Sequence, residues 1–184
     1  MASDSFHFTT GRLSQLARAS CVAALMLTLL TSTPAVAQIF TAPADWKETD
    51  VPPPPRYDMA KLLTFEVARS SSLVYGVDPA SFSISKSDGI VRYVVVASNS
   101  SGAKNAIYEG LRCATAEVRI YARAKLDGTW VAVENSEWKS MYNPSVPRHS
   151  LRFAQAGACD NATPVSTVRE LVKKLTAPEI GSPG

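Results

Sequence analysis

Few side chains in this sequence can do chemistry. The 184 residues include two histidines, three cysteines and 16 acidic side chains. The acid with the least ordinary setting is Glu109, in "NAIYEGLRC" (Asn105 to Cys113), where it shares a row of alternate positions with Ile107, Leu111 and Cys113. A carboxylate on an apolar strand face needs a partner, or its pKa must rise. Three roles are open to Glu109: a cross-strand ion pair with Arg92 or Arg112, an ordinary solvated or edge position, or a general acid or base of raised pKa. Arg92 is the natural partner because it too interrupts an apolar row, Ile90-Arg92-Val94-Val96. A hairpin centred near Ser100-Ser101 sets Arg92 opposite Glu109, whereas a slip of one residue sends the two to opposite faces. The preceding hairpin argues differently. A two-residue turn at Asp88-Gly89 faces Arg92 towards Ser81, Ser83 and Ser85, a row that reads as solvated.

Other constellations are closed off. His149 lies between Arg148 and Ser150 in a proline-flanked stretch without a nucleophile motif, and reads as a surface residue rather than a triad member. Zinc sites built on several histidines cannot form, so no metal and no cofactor is expected. There is no phosphate-binding Gly-rich loop, dinucleotide fingerprint or calcium loop. A second candidate is the outer face of "EVRIYARAKLDGTW", which collects Arg119, Tyr121, Arg123 and Trp130. Rings interleaved with arginines can bind a carbohydrate, a peptide or an anionic group, or the arginine stems can simply lie along the rings.

The N-terminus sets the context for these residues. Arg12 and Arg18 precede the uncharged run "CVAALMLTLL" (Cys21 to Leu30), which is too short for a stable membrane anchor, and "TSTPAVA" ends in Ala35-Val36-Ala37. A basic region, a short apolar region and an Ala-x-Ala site together predict a secretory signal over 1–37, cleaved after Ala37, and so an exported, periplasmic protein. No arginine pair indicates twin-arginine export. Without that leader Lys+Arg falls from 19 to 17 and Asp+Glu from 16 to 15, leaving a net charge of +2 that argues against nucleic acid. No transmembrane span is expected in the mature chain. Cys113 and Cys159 are the surviving cysteines and, in an exported chain, are expected to form a disulfide.

The elements that must position these groups read as an α+β fold, mainly an antiparallel β-sheet built from hairpins, with one C-terminal amphipathic helix packed on it. Residues 38–61 form a Pro-rich extended segment in which Pro52 to Pro55 lock a polyproline rod and Trp46 is suited to pin it to an apolar surface. Residues 62–160 form the antiparallel β domain. "LLTFEVA" (Leu62 to Ala68) is a strand, and "SFSIS" and "GIVRYVVVAS" flank the Asp88-Gly89 turn. In "EVRIYARA", Val118, Ile120, Ala122 and Ala124 alternate with Glu117, Arg119, Tyr121 and Arg123, and a two-residue turn at Asp127-Gly128 sets Ala124 opposite Val131. "SLRFAQAGACD" reads as a last short strand. Residues 161–184 hold the helix, capped by Thr163 with Pro164 in its first turn, and a frayed tail. Its stripe is Val168, Leu171, Val172 and Leu175, and Lys173 and Lys174 suit its C-terminal end.

Taken together, "WKE" at Trp46 to Glu48, the Pro-rich spacer, "VDPASFSI", "DGIVRYVVV", "GAKNAIYEGLRC", "RIYARAKLDGTW", Trp138 and Cys159 resemble the cryptic neisserial protein 1-like family of Gram-negative bacteria. The resemblance covers Trp46 to Asp160. It implies export to the cell envelope and a single small domain, and carries over no catalytic residue. The function expected is therefore an exported, non-enzymatic module that binds or supports an envelope component (protein, peptide or glycan). The alternative is a small carboxylate-dependent hydrolase or lyase using Glu109.

Overall fold

The computed structural model of the chain describes residues 45–177. The expected leader, its cleavage site and the tail beyond Ala177 lie outside these residues. Ten strands run β1 Leu63–Phe65, β2 Val74–Val77, β3 Ser83–Ile84, β4 Ile90–Ser98, β5 Lys104–Arg112, β6 Glu117–Ala124, β7 Trp130–Ala132, β8 Lys139–Ser140, β9 Cys159–Asp160 and β10 Thr163–Pro164. Two α-helices among the described residues are α1 Arg148–Phe153 and α2 Val168–Thr176. The fold is α+β, and every strand pair is antiparallel.

The sheet runs β1-β2-β4-β5-β6-β7, with β3 also paired to β4 and β8 to β6; β9 and β10 form a separate ribbon. Its edges are thus split. β2 covers the far half of β4 and β3 the near half, and the chain leaves the sheet between them in a 3₁₀ turn, Pro79–Ser81. There the Ser81 hydroxyl accepts the Val94 N–H at 3.0 Å, taking the place of a ladder carbonyl. β4 is buried along Ile90–Val96 without a break, because both faces of the sheet are covered. That is why "IVRYVVV", apart from Arg92 and Tyr93, is β-branched at successive positions rather than alternating with polar residues.

On one face, Val91, Tyr93, Val95, Ile107, Leu111 and Val118 pack against Phe153, Ala154, Ala158 and Leu171 from the helical layer. On the other, Val94, Val96, Ala106, Tyr108, Tyr121 and Ala122 are covered by Tyr57 of the N-terminal segment, which lies over this face as a strap, and by Leu62 just after it, with Trp130 beside them. At roughly 1.5–3 kcal/mol for each large apolar side chain buried, both layers matter to stability.

Three registers differ from expectation, and one cause accounts for two of them. The β4–β5 loop holds three residues between Asn99 and Ala103, closed by Asn99 N–H donating to Ala103 O at 3.1 Å, with Gly102 at φ +85°. The β6–β7 loop is built the same way between Lys125 and Thr129, with Gly128 at φ +84°. A three-residue loop ending in a left-handed glycine carries one residue more than a two-residue turn and shifts the register by one. Arg92 therefore faces Gly110, and Glu109 faces Tyr93. Ala124 faces Trp130 rather than Val131. The β3–β4 loop holds four residues between Ser85 and Ile90, so Arg92 does face Ser83; Ser83 is exposed as the row suggested, but the Arg92 side chain is buried.

The regular alternation expected along β6 is also interrupted. The β5–β6 register shifts between Tyr108 and Glu109, a bulge at Tyr121. Val118 and Ile120 lie on the helix side, whereas past the bulge Ala122 and Ala124 lie on the strap side with Tyr121. The bulge sends Arg123 away from Arg119 and Tyr121.

Near the C-terminus the expected strand over Ser150 to Asp160 is instead α1 followed by a wide turn, Ala154–Ala158, and only Cys159–Asp160 is extended. The wide turn ends at Gly157, whose φ of +130° and crowding against Lys174 exclude a side chain. A helix here puts His149, Ser150, Phe153 and Ala154 together on a buried face. The expected cap also moves. Thr163 and Pro164 belong to β10, and α2 is capped by Thr167, whose hydroxyl accepts the Glu170 N–H at 3.1 Å. Thr167-x-x-Glu170 has the sequence pattern of a capping box, of which the Thr167 half is formed while the Glu170 carboxylate pairs with Lys174, and Val165, drawn into the core, keeps the preceding residues in the ribbon. The Cys113–Cys159 disulfide, with its Cα atoms 5.6 Å apart, ties the end of β5 to β9.

Candidate functional site

The register of β4 on β5 splits the two charged residues expected to pair. Arg92 and Glu109 lie on opposite faces of the sheet, and each finds other partners. Glu109 is fully buried on the helix side. Its Oε2 accepts the Tyr93 hydroxyl at 2.8 Å and the Ser150 hydroxyl at 3.4 Å, and its Oε1 lies 2.9 Å from His149 Nε2. Tyr75 stacks on the His149 ring at 5.3 Å. Burial pushes the Tyr93 hydroxyl well above its ordinary pKa, and the neighbouring Glu109 carboxylate adds to that shift. His149, expected at the surface, is 2% exposed. The cause is α1, which turns it inward beneath β5. A general acid or base must reach its substrate. Glu109 and His149 reach each other instead.

Arg92 faces the strap side and stands between two carboxylates. Its Nη2 donates to Asp88 Oδ2 at 2.9 Å and to Glu48 Oε1 at 3.2 Å. Opposite it in β5 is Gly110, where any Cβ would collide with the Tyr121 ring. That missing side chain is what lets Tyr121 lie across β5 and extend its hydroxyl to Glu48. Glu48 takes four donors in all: Arg92, Tyr121 OH at 2.6 Å, Arg119 Nη1 at 2.7 Å and Trp138 Nε1 at 3.2 Å. Burial and the hydrogen bond to Glu48 push the Tyr121 hydroxyl well above its usual pKa.

The residues flanking Glu48 complete the docking. Trp46 Nε1 donates to Asp88 O at 2.9 Å, its ring lies 3.5 Å from the Arg112 guanidinium, and Trp138 meets it edge-on at 6.0 Å. Thr49 donates to Asp88 Oδ2 through both its N–H, at 3.1 Å, and its hydroxyl, at 2.5 Å. Burial works to raise the Asp88 carboxyl, but hydrogen bonds with Ser85, Thr49 and Arg92 outweigh it and hold the group well below the usual carboxylate range. Arg112 also reaches Glu117 at 3.5 Å. So Trp46 does hold the N-terminal segment, but on the Arg112 guanidinium, Trp138 and the Asp88 carbonyl rather than on an apolar surface, with Glu48 as a second anchor.

The expected binding face is only partly assembled. Arg119 and Tyr121 meet at Glu48, Trp130 lies edge-on to Tyr57 at 6.1 Å, and Arg123 is exposed on the far side of the bulge. Between Val51–Pro54 and the sheet lies a pocket of 410 Å³, bordered by Tyr108, Arg119, Tyr121, Trp130 and Val133. Sequence reasoning missed Glu48, Asp88, Trp138 and the Tyr93–His149–Ser150 group as partners. The spacing of Trp46 and Glu48, two apart on one side of an extended chain, was the available signal for the first. Among the described residues, no group of three or more His, Cys, Asp or Glu side chains is placed to hold a metal ion.

No curated protein and no solved structure matches the chain. The sequence model of one family, the CNP1-like family, matches residues 41–176. The match runs past Asp160, where the resemblance read from motifs ended, and takes in α2. It also spans the segment carrying Trp46 and Glu48, the strands that receive them and both cysteines. With that coverage, the chain belongs to the CNP1-like family.

Proposed function

We propose that this chain is an exported, periplasmic module that works by binding rather than catalysis, and that it holds an envelope component against the strap side of its sheet. The observation that carries this reading is the 410 Å³ pocket between Val51–Pro54 and the aromatic floor of Tyr108, Tyr121 and Trp130. Concave sites lined by rings with a few polar groups suit a ligand that offers a flat apolar face, such as a sugar ring or a prolyl or aromatic side chain. Arg119 at its border adds a charge-assisted donor for an anionic or carbonyl group.

Support for export comes from the basic, apolar and Ala-x-Ala pattern over 1–37 and from the Cys113–Cys159 bond, which belongs to an oxidising compartment. The non-catalytic part rests on the enclosure of Glu109, His149 and Ser150 in the helix-side core.

The test is capture of partners from envelope extracts by the wild-type chain and by Trp130→Ala and Tyr121→Phe variants. The expected result is loss of a specific component with Trp130→Ala while the variant remains folded, with a cooperative thermal transition. Retention of every captured component by both variants overturns the assignment of this face.

A further inference from the structure

Trp46, Glu48 and Thr49 are held the way a bound peptide is held. The receiving groups come from the body of the domain: Arg92 on β4, Arg119 and Tyr121 on β6, Trp138 before β8, Arg112 on β5 and Asp88 in the β3–β4 loop. The contributed groups come from one short extended stretch. They divide as an anchor ring between a guanidinium and an indole, a carboxylate in a ring of four donors, and a backbone N–H with a hydroxyl on one acceptor. Among the described residues, no hydrogen bond joins residues 50–57 to the rest of the domain until Asp58 N–H donates to Asp78. The prolines at 52–55 are a semi-rigid spacer, so the docked stretch is tethered and not woven into the sheet.

The cradle is complementary to the charge of its occupant. Arg92, Arg112 and Arg119 converge on it, and in each the Nε atom is buried without a hydrogen-bond partner. Two of the three give their terminal nitrogens to Glu48. Without the strap, Arg92 and Arg119 would lose that carboxylate, leaving a cationic groove walled by Tyr121 and Trp138.

We infer that this groove is a peptide-binding site for an extended polypeptide segment with an aromatic ring two residues before a carboxylate, and that Trp46–Thr49 occupies it in cis as a built-in competitor. A tethered segment competes at an effective concentration in the millimolar range, so a free peptide is shut out until the strap is displaced. The site adjoins the ligand pocket and shares Arg119 and Tyr121 with it, while its other groups lie outside that pocket. Neither Trp46 nor Glu48 borders that pocket, and Trp130 does not border the cradle. The two readings can fail independently.

The test uses a fluorescently labelled peptide copying residues 44–51 (ADWKETDV) and the full chain. The Trp46→Ala/Glu48→Gln double variant, with its own strap disabled, is expected to bind the peptide in the micromolar range. The wild type is expected to bind it at least about tenfold more weakly, and a peptide with Gln in place of its glutamate to lose about tenfold or more on the double variant. A folded double variant that ignores the peptide overturns the inference, as does equal binding of the glutamate and glutamine peptides. If the double variant does not fold, a full chain with a protease site inserted between Pro53 and Pro54 decides. Exchange of the cut strap for labelled peptide supports the groove, while permanent retention of the strap or unfolding on cutting overturns it.

Discussion

Glu109, fully buried, and Glu48, half-buried, lie on opposite faces of one sheet, each satisfied by neutral or cationic donors. Removing an acceptor from such a cluster leaves buried donors without partners, which costs more than the net worth of the bonds. Glu109→Gln is therefore expected to lower stability by about 2 kcal/mol, measured by denaturant unfolding. Unchanged stability would refute the structural role of the Tyr93–His149–Ser150 group. Asp88 gives a pH signature. Its carboxyl is depressed in the folded state, so its contribution is present above the unfolded value of about 4 and is lost as pH falls below it. Thermal melts from neutral to acidic pH should show a steeper loss for wild type than for Asp88→Asn, which lacks that proton linkage and starts lower. Parallel curves would show that the loop carboxylate does not contribute in this way.

Elements decide which face each of these residues takes. A loop of three residues instead of two sets Arg92 against Gly110, and the bulge at Tyr121 sends Arg123 away from Arg119. Gly110 then has a packing role, since the Tyr121 ring occupies the space of its missing Cβ. Gly110→Ala is expected to cost about 1–3 kcal/mol by overpacking and to expose Tyr121, visible as altered tyrosine and tryptophan fluorescence. A fully stable Gly110→Ala chain would mean that Tyr121 does not need that bed. At α2, Thr167→Ala removes the hydroxyl that caps Glu170 N–H and should cost about 1 kcal/mol by denaturant unfolding. The same change at Thr163, in the ribbon, removes no helix cap.

At the scale of the whole molecule, a sheet is closed on one side by the helical layer and on the other by a tethered strap. The Cys113–Cys159 bond fastens the helical side, closing a loop of 46 residues in sequence. In the chain-entropy treatment a loop of that size contributes about 4 kcal/mol, a large share of the roughly 5–15 kcal/mol that holds a domain together. Cys113→Ser/Cys159→Ser, or reduction of the wild type, should lower stability by that order in denaturant titrations. The expected export makes a further claim. Mass spectrometry of the periplasmic fraction should find a chain beginning at Gln38, and an unprocessed chain confined to the cytoplasm would overturn it.

Much of the sheet was legible because the signals are local. β-branched runs, Gly-containing turns and the Val168-Leu171-Val172-Leu175 stripe each act within a few residues, so the hairpins from β3 to β7 and the amphipathic helix could be read, whereas β2 at Val74–Val77 was missed. The pairing of Cys113 with Cys159 followed from their number and the expectation of export. The site was not legible in the same way. Glu48 meets partners 44, 71, 73 and 90 positions away, and no short-range pattern encodes such a meeting. One extra loop residue reversed the partners of Arg92 and Glu109, because side chains alternate with a period of two and a single step exchanges the faces. His149 was misread for a related reason: whether a short polar-apolar stretch becomes strand or helix depended on the core waiting beneath it. Local chemistry named the elements, and contacts between distant parts of the chain chose which of their side chains would meet.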